Sequence, residues 1–265
     1  IDIGLLNRII IDDVLLDDQS GKEMLKITRL SAKFDIIPLF NGKITISSVQ
    51  LFGFNINLNK PAPHMEPNFK FVLDAFASKD TVKTKKDIDL RINSILIRRG
   101  KLSYDVLSEE ETPGKFNPQH IKLHNIIANI SLKALQNDSI NAAIKRLSVD
   151  EQSGFELRKL SLKVIANNKG MKIENFAIEM PGTEMKMDTI RMEYDSLKAL
   201  NHFADNVRFS FRTLPSHVTL NDISAFVPAL SNFKEKLDLN IDVEGTLNQL
   251  NCRTLEINAG DKFRL

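Results

Sequence analysis

Apolar and polar residues alternate with a period of two along most of the chain. Leu237, Leu239, Ile241 and Val243 form one such run. Successive side chains of a β-strand point to opposite faces of its sheet, so this alternation is typical of strands that bury one face. The pattern therefore predicts a β protein.

A second regularity is an apolar pair, a gap of two residues, and another apolar pair in the opposite phase. The segment with Leu25, Ile27, Leu30 and Ala32 has this form, and its gap is Thr28-Arg29. Further copies begin at Ile9, Ile44, Leu90, Ile121, Phe155, Met171, Met185, Val218 and Leu250. Their spacing is typical of a series of strands joined by turns.

The change of phase inside each copy has a structural consequence. Without compensation, it would turn every later apolar side chain to the wrong face of the sheet. A β-bulge absorbs one residue, and bulges at similar places in successive strands would bend the sheet. We therefore expect a mostly β fold with a long curved antiparallel sheet, a β-taco or repeating β-groove, and one or two short helices.

Residues 1–265 are interpreted as a single elongated β-repeat domain and as a fragment of a longer protein. The chain begins without Met and in mid-pattern at Ile1, and it stops at Leu265 just after another strand signal. An ordinary sandwich or barrel also contains alternation with occasional changes of phase. The regular spacing of the copies favours the repeat.

Two stretches depart from the strand pattern. Helical spacing of apolar residues between Phe69 and Phe76, after several prolines, predicts a short amphipathic helix at about 68–78. The stretch at about 221–234 is predicted to be irregular or helical, because Pro228 interrupts its helical spacing.

Composition and charge limit the classes of function. Apolar residues make up 42% of the chain and charged residues 26%, as in a protein that folds. The 36 basic and 34 acidic residues give a net charge of +2, without the basic excess that favours binding to phosphates. We therefore expect no nucleic-acid partner.

The sequence lacks the common signatures of catalysis. It has no nucleophile elbow, P-loop, dinucleotide-binding turn or C-x-x-C pair. His120 and His124 would face the same way on a strand and could form a metal pair, but no Asp or Glu completes the set nearby in sequence. A polar strand face is the preferred interpretation, and we expect no enzyme activity, no cofactor and no metal.

Runs of like charge have simple interpretations as exposed segments. Asp12-Asp13 and Asp17-Asp18 lack the ligand spacing of a calcium loop and are interpreted as a solvated turn, and 109–111 as an exposed loop. Two basic runs could contact anionic headgroups, or could protect a sheet edge from aggregation. These runs consist of Lys83, Lys85 and Lys86, and of Arg98, Arg99 and Lys101.

The apolar face itself is the remaining candidate for a binding surface. It is rich in flexible Met, which suits surfaces that accept variable apolar partners. The residues predicted to form a groove wall or a core are Val49, Leu51, Ile95, Ile97, Phe176, Ile178, Met185 and Met187. Composition alone leaves both interpretations open.

The first part of the chain resembles a known family. The residues that carry the resemblance are Asp18–Gly21, Leu25–Ser31, Phe34–Leu39, Gly42–Ile46, Val49–Leu51 and Asn68–Leu73. Together they resemble the N-terminal periplasmic region of AsmA/TamB-like proteins, the translocation and assembly module TamB among them. The similarity is strongest over about the first 110 residues. After them only the general alternation of apolar and polar residues that is typical of strands remains.

The resemblance implies a non-enzymatic bridge across the periplasm of a Gram-negative cell. Such a protein has an apolar groove for phospholipid or other apolar cargo and is associated with phospholipid transport between inner and outer membrane and with outer-membrane assembly. Its implied partners are an outer-membrane barrel protein of the TamA type and the inner membrane, reached through an N-terminal anchor absent from this chain. The alternative is a structural or protein-binding β-sandwich scaffold without a lipid groove.

Overall fold

The fold is mostly β, which confirms the predicted class. The structure is a computed structural model, and it describes residues 2–4, 7–35, 37, 45–77, 91–136 and 139–259. Its strands join in one large mixed sheet. The chain divides into two compact units, Ile1–Asn129 with Val149–Gly154 (unit 1) and Ile130–Ser148 with Phe155–Leu265 (unit 2). The single elongated domain stays a prediction.

Unit 1 is a run of neighbouring strands. Its elements are β1 (Asp2–Gly4), β2 (Arg8–Asp17), β3 (Glu23–Phe34), β4 (Thr45–Lys60), α1 (Lys70–Ala77), β5 (Arg91–Ile92), β6 (Ser94–Val106) and the beginning of β7 (His120–Gln136). The hydrogen-bonded order is β1-β2-β3-β4-β6-β7, and β5 also pairs with β4. No helix of the described residues is long and apolar enough to cross a membrane.

Two strand pairs in unit 1 depart from the expected antiparallel arrangement. Strand β4 pairs in parallel with both β5 and β6. Parallel neighbours require a crossover connection, and the long segment between β4 and β5 supplies it. Helix α1 lies in this connection, within the stretch where the apolar spacing predicts a helix. Residues 78–90, which include the basic run from Lys83 to Lys86, lie outside the described residues.

Unit 2 contains antiparallel strands. These are most of β8 (Ser139–Glu151), β9 (Glu156–Ala166), β10 (Gly170–Glu179), β11 (Glu184–Glu193), β12 (Arg208–Thr213), β13 (Ser216–Thr219), β14 (Lys236–Thr246) and β15 (Gln249–Asn258), with α2 (Phe203–Asn206) before β12. The order is β8-β9-β10-β11-β12-β14-β13, and β15 pairs with β14. Short 3-10 turns at Leu220–Ile223 and Pro228–Leu230 occupy the stretch predicted to be irregular or helical.

Strands β12 and β13 share one position in the sheet, since both pair with β11 and with β14. Pro215 lies between them and has no N–H to donate to a ladder. Side chains supply replacement bonds: the Ser216 hydroxyl accepts from Lys186 N at 2.9 Å, and the Thr213 hydroxyl accepts from Ile241 N at 2.9 Å. The sheet therefore continues across the interruption.

Left-handed residues lie where the sequence pattern changes phase. Asp13, Asn125 and Asn175 are each the second residue of a two-residue gap, with φ of 55°, 53° and 54°. Asn and Asp tolerate this backbone conformation better than most side chains. Arg99 and Gly53, at φ 56° and 65°, also lie between apolar pairs. These strand interiors therefore absorb the change of phase through backbone conformation.

The register across these positions differs from the simple bulge predicted by the repeat. On either side of Asp13, the pairs Asp12–Arg29 and Val14–Ile27 keep one register between β2 and β3. The apolar pattern therefore changes phase at the same cross-strand position in both strands, and no residue is left unpaired by a bulge there. Between β9 and β10 the register does shift, in the interval that contains Asn175, as a β-bulge requires.

Two hairpin turns contain the same hydrogen bonds between an acidic side chain and a serine two residues later. Asp18 Oδ1 accepts from Ser20 N at 2.8 Å and from the Ser20 hydroxyl at 2.6 Å. Glu151 Oε2 likewise accepts from Ser153 N at 2.7 Å and from the Ser153 hydroxyl. A left-handed Gly follows each Ser, at φ 77° for Gly21 and 98° for Gly154. Asp18 departs from the solvated turn expected from sequence, because its carboxylate is buried and bonded, whereas Asp12, Asp13 and Asp17 are exposed.

We expect Asp18→Asn to remove part of the acid sensitivity of the fold. The Ser20 hydroxyl, followed by Lys22 N, lowers the pKa of Asp18 to about 2, from an ordinary value of 3.8. A lowered folded-state pKa stabilises the protein above pH 3.8, and this contribution is lost as pH falls towards 2. Urea midpoints at pH 7 and pH 3 should therefore differ less in Asp18→Asn than in the wild type. Equal differences in both proteins would contradict this role.

Candidate functional site

The four predicted apolar residues of unit 1 form two directly opposed pairs. Val49 on β4 lies opposite Ile95 on β6, and Leu51 lies opposite Ile97. Leu51 also faces Leu30 on β3. Leu30 in turn faces Ile11 on β2. Directly opposed residues share a face of the sheet, so one apolar row crosses four strands.

The four predicted residues of unit 2 are paired in the same way. Phe176 on β10 lies opposite Met187 on β11, and Ile178 lies opposite Met185. Ile178 also faces Leu160 on β9. A second apolar row runs along Val164, Ile173, Ile190, Phe211 and Val243. The structure thus brings each predicted set together within its own unit.

The exposure of these side chains distinguishes a protected face from a closed core. Met187 is buried, with 8% of its surface exposed, and the other seven predicted residues are half-buried. Residues pointing the other way are open to solvent, such as Leu15 at 57% and Ile165 at 38%. A closed core would bury most of these apolar side chains fully. The described strands therefore present a protected but open apolar face.

An aromatic stack extends the apolar face of unit 2 and was missed in the sequence. The rings of Phe203 and Phe209 lie 6.0 Å apart and those of Phe209 and Phe211 lie 6.2 Å apart. Phe209 lies opposite Met192 on β11. The alternation of Phe209 and Phe211 was a visible signal, but it lies outside the copies of the repeat.

Charged pairs characterise the opposite face of unit 2. Lys163 Nζ lies 2.7 Å from Glu174, and Lys159 Nζ lies 2.8 Å from Glu179. Hydrogen bonds from Lys163 and then Lys172 lower the pKa of Glu174 to about 2. The Glu174 carboxylate therefore stays ionised at neutral pH, so this face carries charge while the other is apolar.

Unit 1 has a comparable polar row at its change of phase. Arg29 donates to Asp12 at 2.6 Å, and the Arg99 guanidinium lies 5.2 Å from the centre of the Phe52 ring. Arg98 and Arg99 are exposed. Strand β6 lies between β4 and β7, so these arginines and Lys101 do not protect a sheet edge. That alternative is wrong, and contact with anionic headgroups stays a prediction.

A buried histidine organises the connection between β6 and β7. His120 is 5% exposed, with Nδ1 3.0 Å from Asp105 Oδ1 and Nε2 3.0 Å from the Glu109 carbonyl oxygen. The hydrogen bond to Asp105 and the bond to Glu109 raise the pKa of His120, against the opposing effect of burial. Glu111 approaches the same ring and pairs with Lys122 Nζ at 2.9 Å. The 109–111 run is therefore tied to β7.

The predicted partner of His120 is not part of this cluster. His124 is exposed, and its Nε2 lies 3.9 Å from Asp150. The ligand atoms of Asp105, Glu111 and His120 instead lie within 4.8 Å of one another. Asp105 lies on β6, before the connection, and Glu111 lies within it, so proximity in sequence could not identify them.

Comparison with known proteins provides no relative for this chain. No family model, no curated protein and no solved structure matches it.

Proposed function

We propose that the chain is a non-enzymatic carrier that holds the acyl chains of phospholipid, or other apolar cargo, against its protected apolar face. The observation that carries this proposal is the set of cross-strand apolar pairs, which are half-buried in both units. Leu51 with Ile97 and Ile178 with Met185 are examples. An open apolar face of this kind is suited to a ligand with a large apolar surface.

The physical basis is the transfer of methylene groups from water to the protein. Each methylene that moves onto an apolar wall gains roughly 0.8 kcal/mol. Leu, Ile, Met and Phe recur along the rows, so an acyl chain can shift from one apolar pair to the next. Flexible Met side chains, such as Met185 and Met187, can adapt to a moving chain.

The proposal extends to the cellular role that the sequence resemblance implies. A periplasmic protein of the AsmA/TamB-like family, anchored in the inner membrane and meeting an outer-membrane barrel protein of the TamA type, would use such a face for phospholipid transport and outer-membrane assembly. The mostly β fold and the apolar rows support this proposal. They do so through physical properties, since no known protein matches the chain.

A structural β-sandwich is the alternative function class. A sandwich packs the inner faces of two sheets together about 10 Å apart. In the part of the chain that the structure describes, the strands belong to one hydrogen-bonded sheet. No specific feature of these residues favours the scaffold over the carrier.

The test is binding of a fluorescent fatty acid to the whole chain. Wild-type protein should bind the probe saturably, and Ile178→Asp should weaken binding by at least tenfold because a carboxylate would enter the apolar face. Ile165→Asp is the matched control, since Ile165 lies opposite Lys172 and is exposed. Equal weakening by both variants, or no binding by folded wild-type protein, would contradict the proposal.

A further inference from the structure

The hydrogen-bond geometry of His120 requires a positive charge beside Asp105, either a proton or a metal ion. The Glu109 carbonyl oxygen can only accept a hydrogen bond, so His120 Nε2 carries a proton and donates it. Nδ1 then faces Asp105 Oδ1 across 3.0 Å. A neutral ring would direct the Nδ1 lone pair at a carboxylate oxygen, which is repulsive. A proton or a metal ion must therefore lie between these two atoms.

The arrangement has the features of a metal ligand with its support. Histidines that bind metals donate their other ring N–H to a carbonyl or carboxylate, which fixes the tautomer and the ring orientation. His120 does this through Glu109, and its burial holds the ring in place. Gln152 Nε2 donates to the His120 carbonyl oxygen at 2.9 Å and fixes the backbone as well.

The donor set selects the class of ion. One imidazole nitrogen and two carboxylate oxygens suit zinc, whose sites with three protein ligands keep one position for water. Ligand atoms around tetrahedral zinc lie about 3.3 Å apart. The Nδ1–Oδ1 distance of 3.0 Å is close to that value, and all three donors lie within 4.8 Å. Glu111 is exposed and can close the remaining gap.

We propose that Asp105, Glu111 and His120 form a zinc site. The site lies at the junction of β6, the 107–119 connection and β7. Binding would replace the proton at His120 Nδ1 and would release Glu111 from Lys122. Zinc would thereby fasten the 107–119 connection to the start of β7.

Removing the Lys122 ammonium group is predicted to strengthen zinc binding, whereas removing a ligand weakens it. Its ammonium group lies 2.9 Å from Glu111 Oε1 and competes with the metal for that carboxylate. Lys122→Met removes the competitor and keeps a long apolar side chain. Zinc should therefore bind more tightly to Lys122→Met than to the wild type. A cluster that holds only a proton predicts no saturable zinc binding in either protein.

The experiment is calorimetric titration of zinc chloride into metal-free whole chain at pH 7.5. We expect one zinc per chain, at least tenfold weaker binding in Glu111→Gln, and severalfold tighter binding in Lys122→Met. His124→Ala is the matched control and should bind like the wild type, because His124 lies outside the cluster. Magnesium should not compete, since it prefers six oxygen ligands.

The variants are chosen to separate binding from folding. His120→Gln removes the central ligand but also changes a buried side chain that supports the connection, so Glu111→Gln, at an exposed side chain, is the decisive variant. Circular dichroism must give the same strand content for the compared proteins. No saturable binding by the wild type, or equal affinity in wild type and Glu111→Gln, would overturn the proposal and leave a protonated His120–Asp105 pair.

Discussion

Replacing Gly100 with alanine is expected to destabilise unit 1 by about 2–3 kcal/mol, as overpacking of a core does. A Cβ at Gly100 would overlap the ring of Phe54 and lie 3.0 Å from Ile126 Cβ. Phe54 is 7% exposed, so its ring has little room to move away. The measurement is the urea midpoint of the purified variant, with circular dichroism as the probe.

A double-mutant cycle separates this overlap from a general effect of alanine. Phe54→Ala removes the ring, so Gly100→Ala should cost much less in that background than in the wild type. Additive effects of Phe54→Ala and Gly100→Ala would contradict direct packing of the ring on the glycine.

Charge on the protected face of unit 1 should abolish retention of lipid by the purified protein. Leu16 on β2 is half-buried and lies opposite Leu25. In Leu16→Asp, a carboxylate replaces an apolar contact with the acyl chain. Losing contact with two methylenes weakens binding about fifteenfold. Quantified extraction of lipid from equal amounts of protein is the measurement.

Leu15 is the matched control for this substitution. It is the same residue type on the same strand, but it is 57% exposed and lies opposite Lys26. Leu15→Asp should keep the lipid content of the wild type. Leu16→Ser tests for unfolding, since it adds no charge, and both Leu16 variants should keep their strand content. Equal lipid loss in Leu15→Asp and Leu16→Asp would show that retention does not depend on the face.

Periodicity was sufficient to predict the β class and which apolar residues share one face of their own strand. Alternation determines which side chains share a face, and the common phase of the copies placed Val49 with Leu51 and Phe176 with Ile178. Their partners on neighbouring strands belong to the same pattern, so Ile97 and Met187 could be predicted as well. The pattern succeeds because the face of a residue depends on local geometry.

Features that depend on pairing between distant segments were not predictable. The parallel pairing of β4 with β6 follows from a crossover that carries no sequence signature of its own. The left-handed backbone of Arg99 also lacked a signal, because Arg is uncommon in this conformation. Asp105 and Glu111 reach His120 through the folded connection, which sequence spacing does not determine.

The division of the sheet into an apolar and a charged face explains how binding and solvation can coexist. Lys163 with Glu174 keeps one face of unit 2 ionised at neutral pH. Ile173, the neighbour of Glu174, belongs to the apolar row on the other face. The side chains of adjacent residues therefore face opposite sides of the sheet. Substitutions one position apart should differ sharply in their effect on the affinity for cargo.

Native mass spectrometry of the wild-type chain, purified under gentle conditions from a Gram-negative host and followed by lipid extraction, tests the central claim most directly. The apolar face should retain phospholipid, seen as added mass that disappears on extraction and matches the extracted species. A folded chain that carries no lipid under these conditions, and gains none on incubation with phospholipid vesicles, would contradict the carrier function.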